Sequence, residues 1–275
     1  MPIREHMSDS HLSWNRLRAN HDEEHAWELF HENSKTSLYE GMLPNEVIVA
    51  KMARLWESLP FPQYPAFPLP SPASAPTMPL AEAIVQRRSA GTLSPQPIRL
   101  ETLASLLHFA YGVTSDKEDG TALRALRAAP SGGALFPLEL YFHATNVTGL
   151  KAGIYHYDPT RNEVQLLREG NEIHAVADAM VQQDIATGSS LIIWITAIFE
   201  RTVFKYGDRG YRFVLIEAGH VGQNLNLVAT ALGLECLNIG GFFDRRMDEL
   251  LGLDGLTHST IYMAAIGAPA GAGGP

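Results

Sequence analysis

Residues 201–244, RTVFKYGDRGYRFVLIEAGHVGQNLNLVATALGLECLNIGGFFD, restrict the fold more than any other part of this chain. Phe213, Ile216, Val221, Leu225, Val228 and Leu232 recur at helical intervals, which predicts a core helix over about 211–232. Glu217, His220, Gln223 and Asn224 fall three and four apart on one stripe of that helix. A buried helix is apolar all round, so the stripe is expected to meet water, a partner subunit or a ligand. A charged loop with Lys205, Tyr206, Asp208, Arg209 and Arg212 is expected before the helix. After it, Gly233 is a natural stop, and the apolar strand LECLNI leads to Gly240 and Gly241. A glycine pair following a strand lets a flat ligand approach the backbone closely.

The formal net charge of -9 argues against a general nucleic-acid binder, which needs a basic face to neutralise phosphates. A single cysteine, Cys236, rules out a disulfide framework within the chain and reads as a buried, inert thiol. The first residues lack the apolar stretch of a signal peptide, and the most apolar run, LIIWITAIF, is far too short to span a bilayer. A soluble, cytoplasmic protein with no membrane or nucleic-acid partner is expected. His21 and His25 stand four apart with Glu24 and His31 nearby, but no matching ligand pair occurs elsewhere, so no metal is expected.

Four regions follow in order. Residues 1–58 read as a helical N-terminal extension, with helices over 23–32 and 45–58. Residues 59–78, LPFPQYPAFPLPSPASAPTM, are a stiff, extended proline-rich connector, excluded from helix and central strand. Residues 79–267 form the main domain, and 268–275 a flexible tail. Within the main domain helices are expected over 79–89, 100–113 and 171–183. Strands are expected at LELYFHA, LIIWITAIF and TIYMAAIG, with a hairpin of GIYHYD and EVQLLRE. Strands partly in hairpin order between helices indicate an α+β sandwich.

Three local signals point to a phosphate-bearing planar ligand. They are the Arg87-Arg88-Ser89 helix end, the small-residue turn at Pro130, Ser131, Gly132 and Gly133, and the Gly240-Gly241 pair. Taken alone, the Arg-Arg-Ser triplet reads as a helix end whose cations complement the dipole. Neither a G-x-G-x-x-G unit nor a G-x-x-x-x-G-K-[ST] loop is present, and G-x-S-x-G is absent.

RRSAGTLSPQPI, AAPSGGALFPLELYF, KYGDRGYRF, EAGHVGQNL and IGGFFD, in this order, resemble the nitroreductase superfamily. More narrowly they resemble the SagB-type dehydrogenases, FMN-dependent azoline oxidases of ribosomal peptide biosynthesis. The resemblance covers roughly 79–267, and LFHENSK is similar to that family's N-terminal region. It implies an α+β fold: a three-layer α/β/α sandwich around a mostly antiparallel sheet, forming an intertwined homodimer with FMN held between subunits. It implies that Arg87, Arg88 and Ser89 hold the FMN phosphate and ribityl chain, that Pro130, Ser131 and Gly132 line the ring, and that Gly240 and Gly241 bring backbone N–H groups near flavin N5. Lys205 and Tyr206 match the family's catalytic pair. Azoline oxidation removes a Cα proton as hydride leaves the ring carbon. A lysine can serve as the base, with the tyrosine orienting or relaying the proton. By itself Lys205 reads more readily as a surface salt-bridge partner of Asp208 than as a catalytic base.

Two positions depart from the pattern. Gly91 stands where many nitroreductases carry a basic residue, and the tail lacks the usual phosphate-contacting cation, so Arg209 or Arg212 are alternative partners. Three functions follow: a dehydrogenase acting on a peptide-derived substrate, with a cyclase as partner; an NAD(P)H-dependent reductase of nitroaromatics, quinones or dehydroamino acids; and a non-catalytic scaffold subunit.

Overall fold

A computed structural model of the chain describes residues 26–38, 41, 43–71, 76–115 and 124–269. It comprises two compact units, Met1–Glu40 and Gly41–Pro275. The described part of the first contains helix α1 (Ala26–Asn33), which overlaps the helix expected there. His21, Glu24 and His25 lie outside the described residues. The expected 1–58 extension is divided between the units, because residues 41–58 belong to the larger one.

In chain order the larger unit contains α2 (Asn45–Met52), β1 (Ala66–Pro68), α3 (Leu80–Gln86), β2 (Leu93–Ser94), β3 (Ile98–Arg99), α4 (Leu100–Tyr111), β4 (Val113–Ser115) and β5 (Leu126–Arg127). There follow β6 (Leu138–Ala144), β7 (Val147–Thr148), β8 (Gly153–Asp158), β9 (Glu163–Glu169), α5 (Ile173–Asp178), α6 (Gln183–Thr187) and β10 (Leu191–Ile198). The chain continues through α7 (Glu200–Tyr206), α8 (Asp208–Ala231), β11 (Glu235–Ile239), α9 (Asp244–Leu251) and β12 (His258–Pro269). One sheet runs β1-β9-β8-β6-β10-β12-β11, with β2 added to β12, and every pairing in it is antiparallel.

Successive side chains on a strand face opposite ways, and β10 uses both faces. Leu191, Ile193, Ile195 and Ala197 enter one core with Leu103 and Leu107 of α4 and Val214, Val221 and Leu225 of α8. Ile192 and Trp194 enter a second core with Val176 of α5, Ala186 of α6 and Met247 of α9. The Trp194 indole N–H donates to Met247 Sδ at 2.9 Å. Burial on both faces is why this strand reads as an unbroken apolar run, and the result is the α/β/α sandwich the sequence implied. The long helix α8 lies hard against the sheet: a Cβ at Gly222 would stand 2.9 Å from the Tyr262 ring.

Several expectations are corrected. The charged loop before α8 is helix α7, because Arg201 and Thr202 are buried and not solvated. The helix begun at Asn45 stops at Met52, not 58, because the carbonyls of Met52, its last residue, and of Leu55, beyond it, accept hydrogen bonds from Arg124 Nη2 at 2.9 and 3.0 Å. Helix α3 ends at Gln86, not 89; Ser89 bridges Cys236, and Ala90 N donates to its carbonyl at 3.1 Å, drawing the chain onto β11. The helix expected over 171–183 is broken into α5 and α6, because Val181 N bonds Gly241 O at 2.9 Å. Strand β12 continues through Ala268 and Pro269, which pair with β2, so the strand takes in the start of the expected tail. Within the connector, β1 pairs only along the sheet edge, where proline is tolerated. Among the described residues no helix is long and apolar enough to cross a membrane, and no cluster of metal-ligating side chains is present.

Candidate active site

Helix α7 ends at Gly207 with φ 54°, and its last turn presents Lys205 and Tyr206, both half-buried. They meet the turn that joins β5 to β6. Gly133 there has φ 68°, a left-handed conformation that suits glycine. A Cβ at Gly133 would stand 2.7 Å from the Tyr206 hydroxyl oxygen and 2.8 Å from Lys205 Nζ. Backbone with no side chain is therefore what allows the pair to close on this turn. Lys205 Nζ also lies 5.0 Å from the Tyr206 ring centroid, and that ring meets Phe213 edge-on at 5.0 Å. Phe213 in turn covers Gly132, whose added Cβ would stand 3.4 Å from its ring. Gly133→Ala is expected to cost about 1–2 kcal/mol in left-handed strain and to push both side chains aside. Turnover should fall on the order of a hundredfold with the fold retained, as measured by steady-state kinetics and thermal melting.

The polar stripe of α8 does not face one medium. Glu217 is 2% exposed, whereas His220 and Gln223 are exposed, and Asn224 Nδ2 donates to Ala110 O at 3.2 Å. Ile216, expected in the core, is 55% exposed, because the apolar positions wrap further round the helix than one core-facing stripe. The Tyr111 hydroxyl donates to Glu217 Oε1 at 2.9 Å. Burial pushes the Glu217 pKa up to about 7 from 4.5, against the pull of the Ser131 and Tyr111 hydroxyls and of Arg127.

This shift has a definite sign. Below pH 4.5 the group is protonated whether the chain is folded or not; between 4.5 and about 7 only the folded state keeps the proton. Stability therefore falls as pH rises through that window, by about 1.4 kcal/mol per unit. Glu217→Gln abolishes the dependence. Chemical denaturation should show the variant gaining about 3 kcal/mol on the wild type between pH 4.5 and 8.

A second buried group fixes the other end of α7. Arg201 Nη2 stands 2.6 Å from Glu139 Oε1, and both side chains are almost completely buried. Arg201 Nη2 makes no aligned hydrogen bond, so the attraction there is chiefly ionic. His156 Nε2 lies 2.7 Å from Glu139 Oε2, and Leu59 N donates to Oε1 at 3.0 Å. Burial opposes charge on Glu139, but Arg201 and His156 outweigh it and hold the carboxyl at about 2.

Ser89 and Ala90 lie against Cys236 of β11, with Arg87 half-buried and Arg88 exposed beside them. Arg88 Nη1 turns back to the Val85 and Arg87 carbonyls at 2.6 and 2.8 Å, so part of its capacity closes the helix. Gly240 follows Cys236 by four residues, about 13 Å along an extended chain. A Cβ at Gly240 would meet nothing within 4 Å, and one at Gly241 only Val181, at 3.6 Å. Two guanidinium groups and a hydroxyl at one end of a strand, with open backbone at the other, fit an elongated ligand with a phosphate and a flat ring. No hydrogen bond or ion pair among the described residues joins this group to the Lys205 turn. The sequence reading missed Tyr111, Glu139, Arg201 and His156. Their only local sign was polar residues inside apolar patterns.

Residues 84–268 match the Nitroreductase family, and the chain belongs to it. Among relatives, MJ1384, a nitroreductase-family protein of Methanocaldococcus jannaschii, is 36% identical over 62% of this chain and 83% of its own length. The microcin B17-processing protein McbC of Escherichia coli is 28% identical over 62% of each chain. The trifolitoxin-processing protein TfxB of Rhizobium leguminosarum bv. trifolii is 27% identical over 61% of this chain and 46% of TfxB. The chain therefore spans less than two thirds of the length of McbC and of TfxB. A nitroreductase-fold structure from Anabaena variabilis superposes with a TM-score of 0.69 at 26% identity, covering 88% of this chain and 46% of the other.

Proposed function

We infer that the protein is an FMN-dependent dehydrogenase that oxidises an azoline ring, or a similar ring, in a peptide-derived product. The observation that carries this reading is the approach of Lys205 Nζ and Tyr206 OH to one glycine turn, in a family whose relatives include McbC and TfxB. A plain electron-shuttling reductase has no need of such a pair.

Arg87, Arg88 and Ser89 would hold the FMN phosphate; Pro130, Ser131 and Gly132 would line its ring, with Gly240 and Gly241 offering open backbone. When bound, FMN supplies the acceptor for the hydride leaving the ring carbon. Lys205 takes the Cα proton, leaving that electron pair to form the new double bond, and Tyr206 orients or relays the proton. Tyr211, Leu215 and Ile216 of α8, with Ile84 and Val85 of α3, expose apolar surface that suits a second copy of this chain, consistent with a homodimer. McbC processes microcin B17 and TfxB trifolitoxin, which supports a peptide-derived substrate; a cyclase is the working partner this reading implies.

The higher identity to MJ1384 favours a second reading, reduction of nitroaromatics, quinones or dehydroamino acids with NAD(P)H. Anaerobic mixing of the FMN-loaded protein with a thiazoline-bearing peptide separates them. Loss of the oxidised-flavin absorption with formation of the thiazole supports the dehydrogenase. Loss only with NAD(P)H, and no thiazole, overturns it in favour of the reductase.

A further inference from the structure

The turn that meets Lys205 and Tyr206 is strained backbone. Beyond Gly133, Ala134 has φ 52° and Phe136 φ 47°, left-handed values that side chains with a Cβ rarely adopt, least of all a bulky buried one. Such conformations persist only where surrounding contacts over-determine them. Local bonds supply part of the hold: Phe136 N donates to Ser131 Oγ at 2.9 Å, and Ala134 N to Ser131 O at 3.1 Å. Arginines supply the rest. Arg201 Nη1 donates to Phe136 O at 3.4 Å, and the Arg127 guanidinium stands 5.0 Å from the Phe136 ring centroid. Arg124, 2% exposed, makes the shorter bond, from Nη1 to Leu135 O at 2.9 Å.

The other arm of the Arg124 guanidinium reaches a distant part of the chain. Its Nη2 donates to Met52 O at 2.9 Å and Leu55 O at 3.0 Å, and Arg127 Nη2 adds Glu57 O at 2.5 Å. These residues precede the 84–268 segment that matches the family. Their neighbours touch the other side of the site as well. Lys51 Nζ stands 5.5 Å from the ring centroid of Phe204, next to Lys205, and Leu59 N donates to Glu139, the partner of Arg201. A planar guanidinium holds its donors in a fixed fork and can bridge three carbonyls at once; an ammonium is a point charge without that fork.

We propose that Arg124 is a positioning residue: one buried guanidinium clamps the strained 133–136 turn to residues 52–55, and the turn sets where Lys205 and Tyr206 stand. Its meaning for turnover rests on the dehydrogenase reading, but the clamp itself is tested without substrate.

The test uses the full-length protein with Arg124→Lys, Arg124→Met and Ala134→Gly, singly and combined. Glycine at 134 removes left-handed strain, so it should raise the folded-to-unfolded ratio roughly fivefold more in the wild type than beside either Arg124 variant, where the released turn has relaxed. Denaturant unfolding reads this cycle. Additive effects would mean that the turn keeps its conformation without Arg124, and would overturn the proposal. Hydrogen exchange of the Ala134 amide and of the Leu55 amide, which bonds Met52 O at 3.2 Å, should quicken together, roughly tenfold more than that of the β10 amides. Quickening at Leu55 alone confines Arg124 to the N-terminal segment and also overturns it. If Arg124→Met does not fold, Arg124→Lys, which keeps the charge, carries the comparison. With a thiazoline peptide and FMN-loaded protein, kcat per bound flavin should fall roughly tenfold in Arg124→Lys while KM holds. A purely structural role would lower the melting temperature and leave that kcat intact, a third result against the proposal. If the wild type oxidises no azoline, the dehydrogenase reading fails, and the unfolding cycle and exchange alone decide the role of Arg124.

Discussion

Lys205→Met is expected to slow azoline oxidation by roughly 10²–10⁴-fold, the range a positioned general base supplies. The fold should be unaffected, because Lys205 is half-buried at a helix end and meets the turn through its far end. Reduction of a nitro compound by NAD(P)H in the same preparation should persist, since electron transfer through flavin needs no proton removed from carbon. Tyr206→Phe should cost less than Lys205→Met, because it keeps the ring against Phe213 and loses only the hydroxyl. Parallel kinetics on the two reactions check the prediction, and equal retention of both in Lys205→Met would remove the dehydrogenase assignment.

Glu139→Ala should destabilise the protein by about 3–5 kcal/mol, the loss expected when one member of a buried ion pair is left uncompensated. The charge left behind is Arg201, 1% exposed at the start of α7, so the damage reaches the helix that carries Lys205. The double variant Glu139→Leu with Arg201→Met should recover much of that loss, since apolar replacement of a whole buried pair is often neutral. Guanidinium unfolding of the single and double variants measures both effects. The same network predicts acid sensitivity. Glu139 is held at about 2, below its ordinary 4.5, and burial pushes His258 down to about 4 from 6.5. Both groups are depressed. Their stabilisation is full above about 6.5 and is lost as pH falls, His258 between 6.5 and about 4, Glu139 between 4.5 and about 2.

The long helix, the strands at 138–144 and 191–198 and the hairpin at 153–169 were legible because burial imposes a period that local sequence carries. Helix α9 was not, since DRRMDELL is polar and only Met247 and Asp248 are buried. Asp248 is spent on the Thr260 N–H at 2.7 Å and the Ser259 hydroxyl, partners the local pattern does not reveal. At the site, KYGDRGYRF and APSGGA marked the two sides, and the structure brings Lys205 and Tyr206 against Gly133. The supporting groups were hidden. Glu217 read as one member of a stripe meeting water, a partner or a ligand because its partner Tyr111 lies 106 residues away, and Arg201 fell in an expected charged loop because Glu139 sits on β6, far back in the chain. Pairings of that kind are tertiary facts with no short-range signature.

Open backbone at Gly240 and Gly241 just past β11, with Ser89 bridged to Cys236 of that strand and Arg87 and Arg88 beside Ser89, is assigned to a flavin site. The visible absorption spectrum of the purified protein, with release and identification of any chromophore, tests it most directly. FMN stoichiometric with the chain is expected, lost on replacing Arg87 and Ser89 together. A protein that stays colourless after incubation with excess FMN would contradict it, and would leave the scaffold role as the function to pursue.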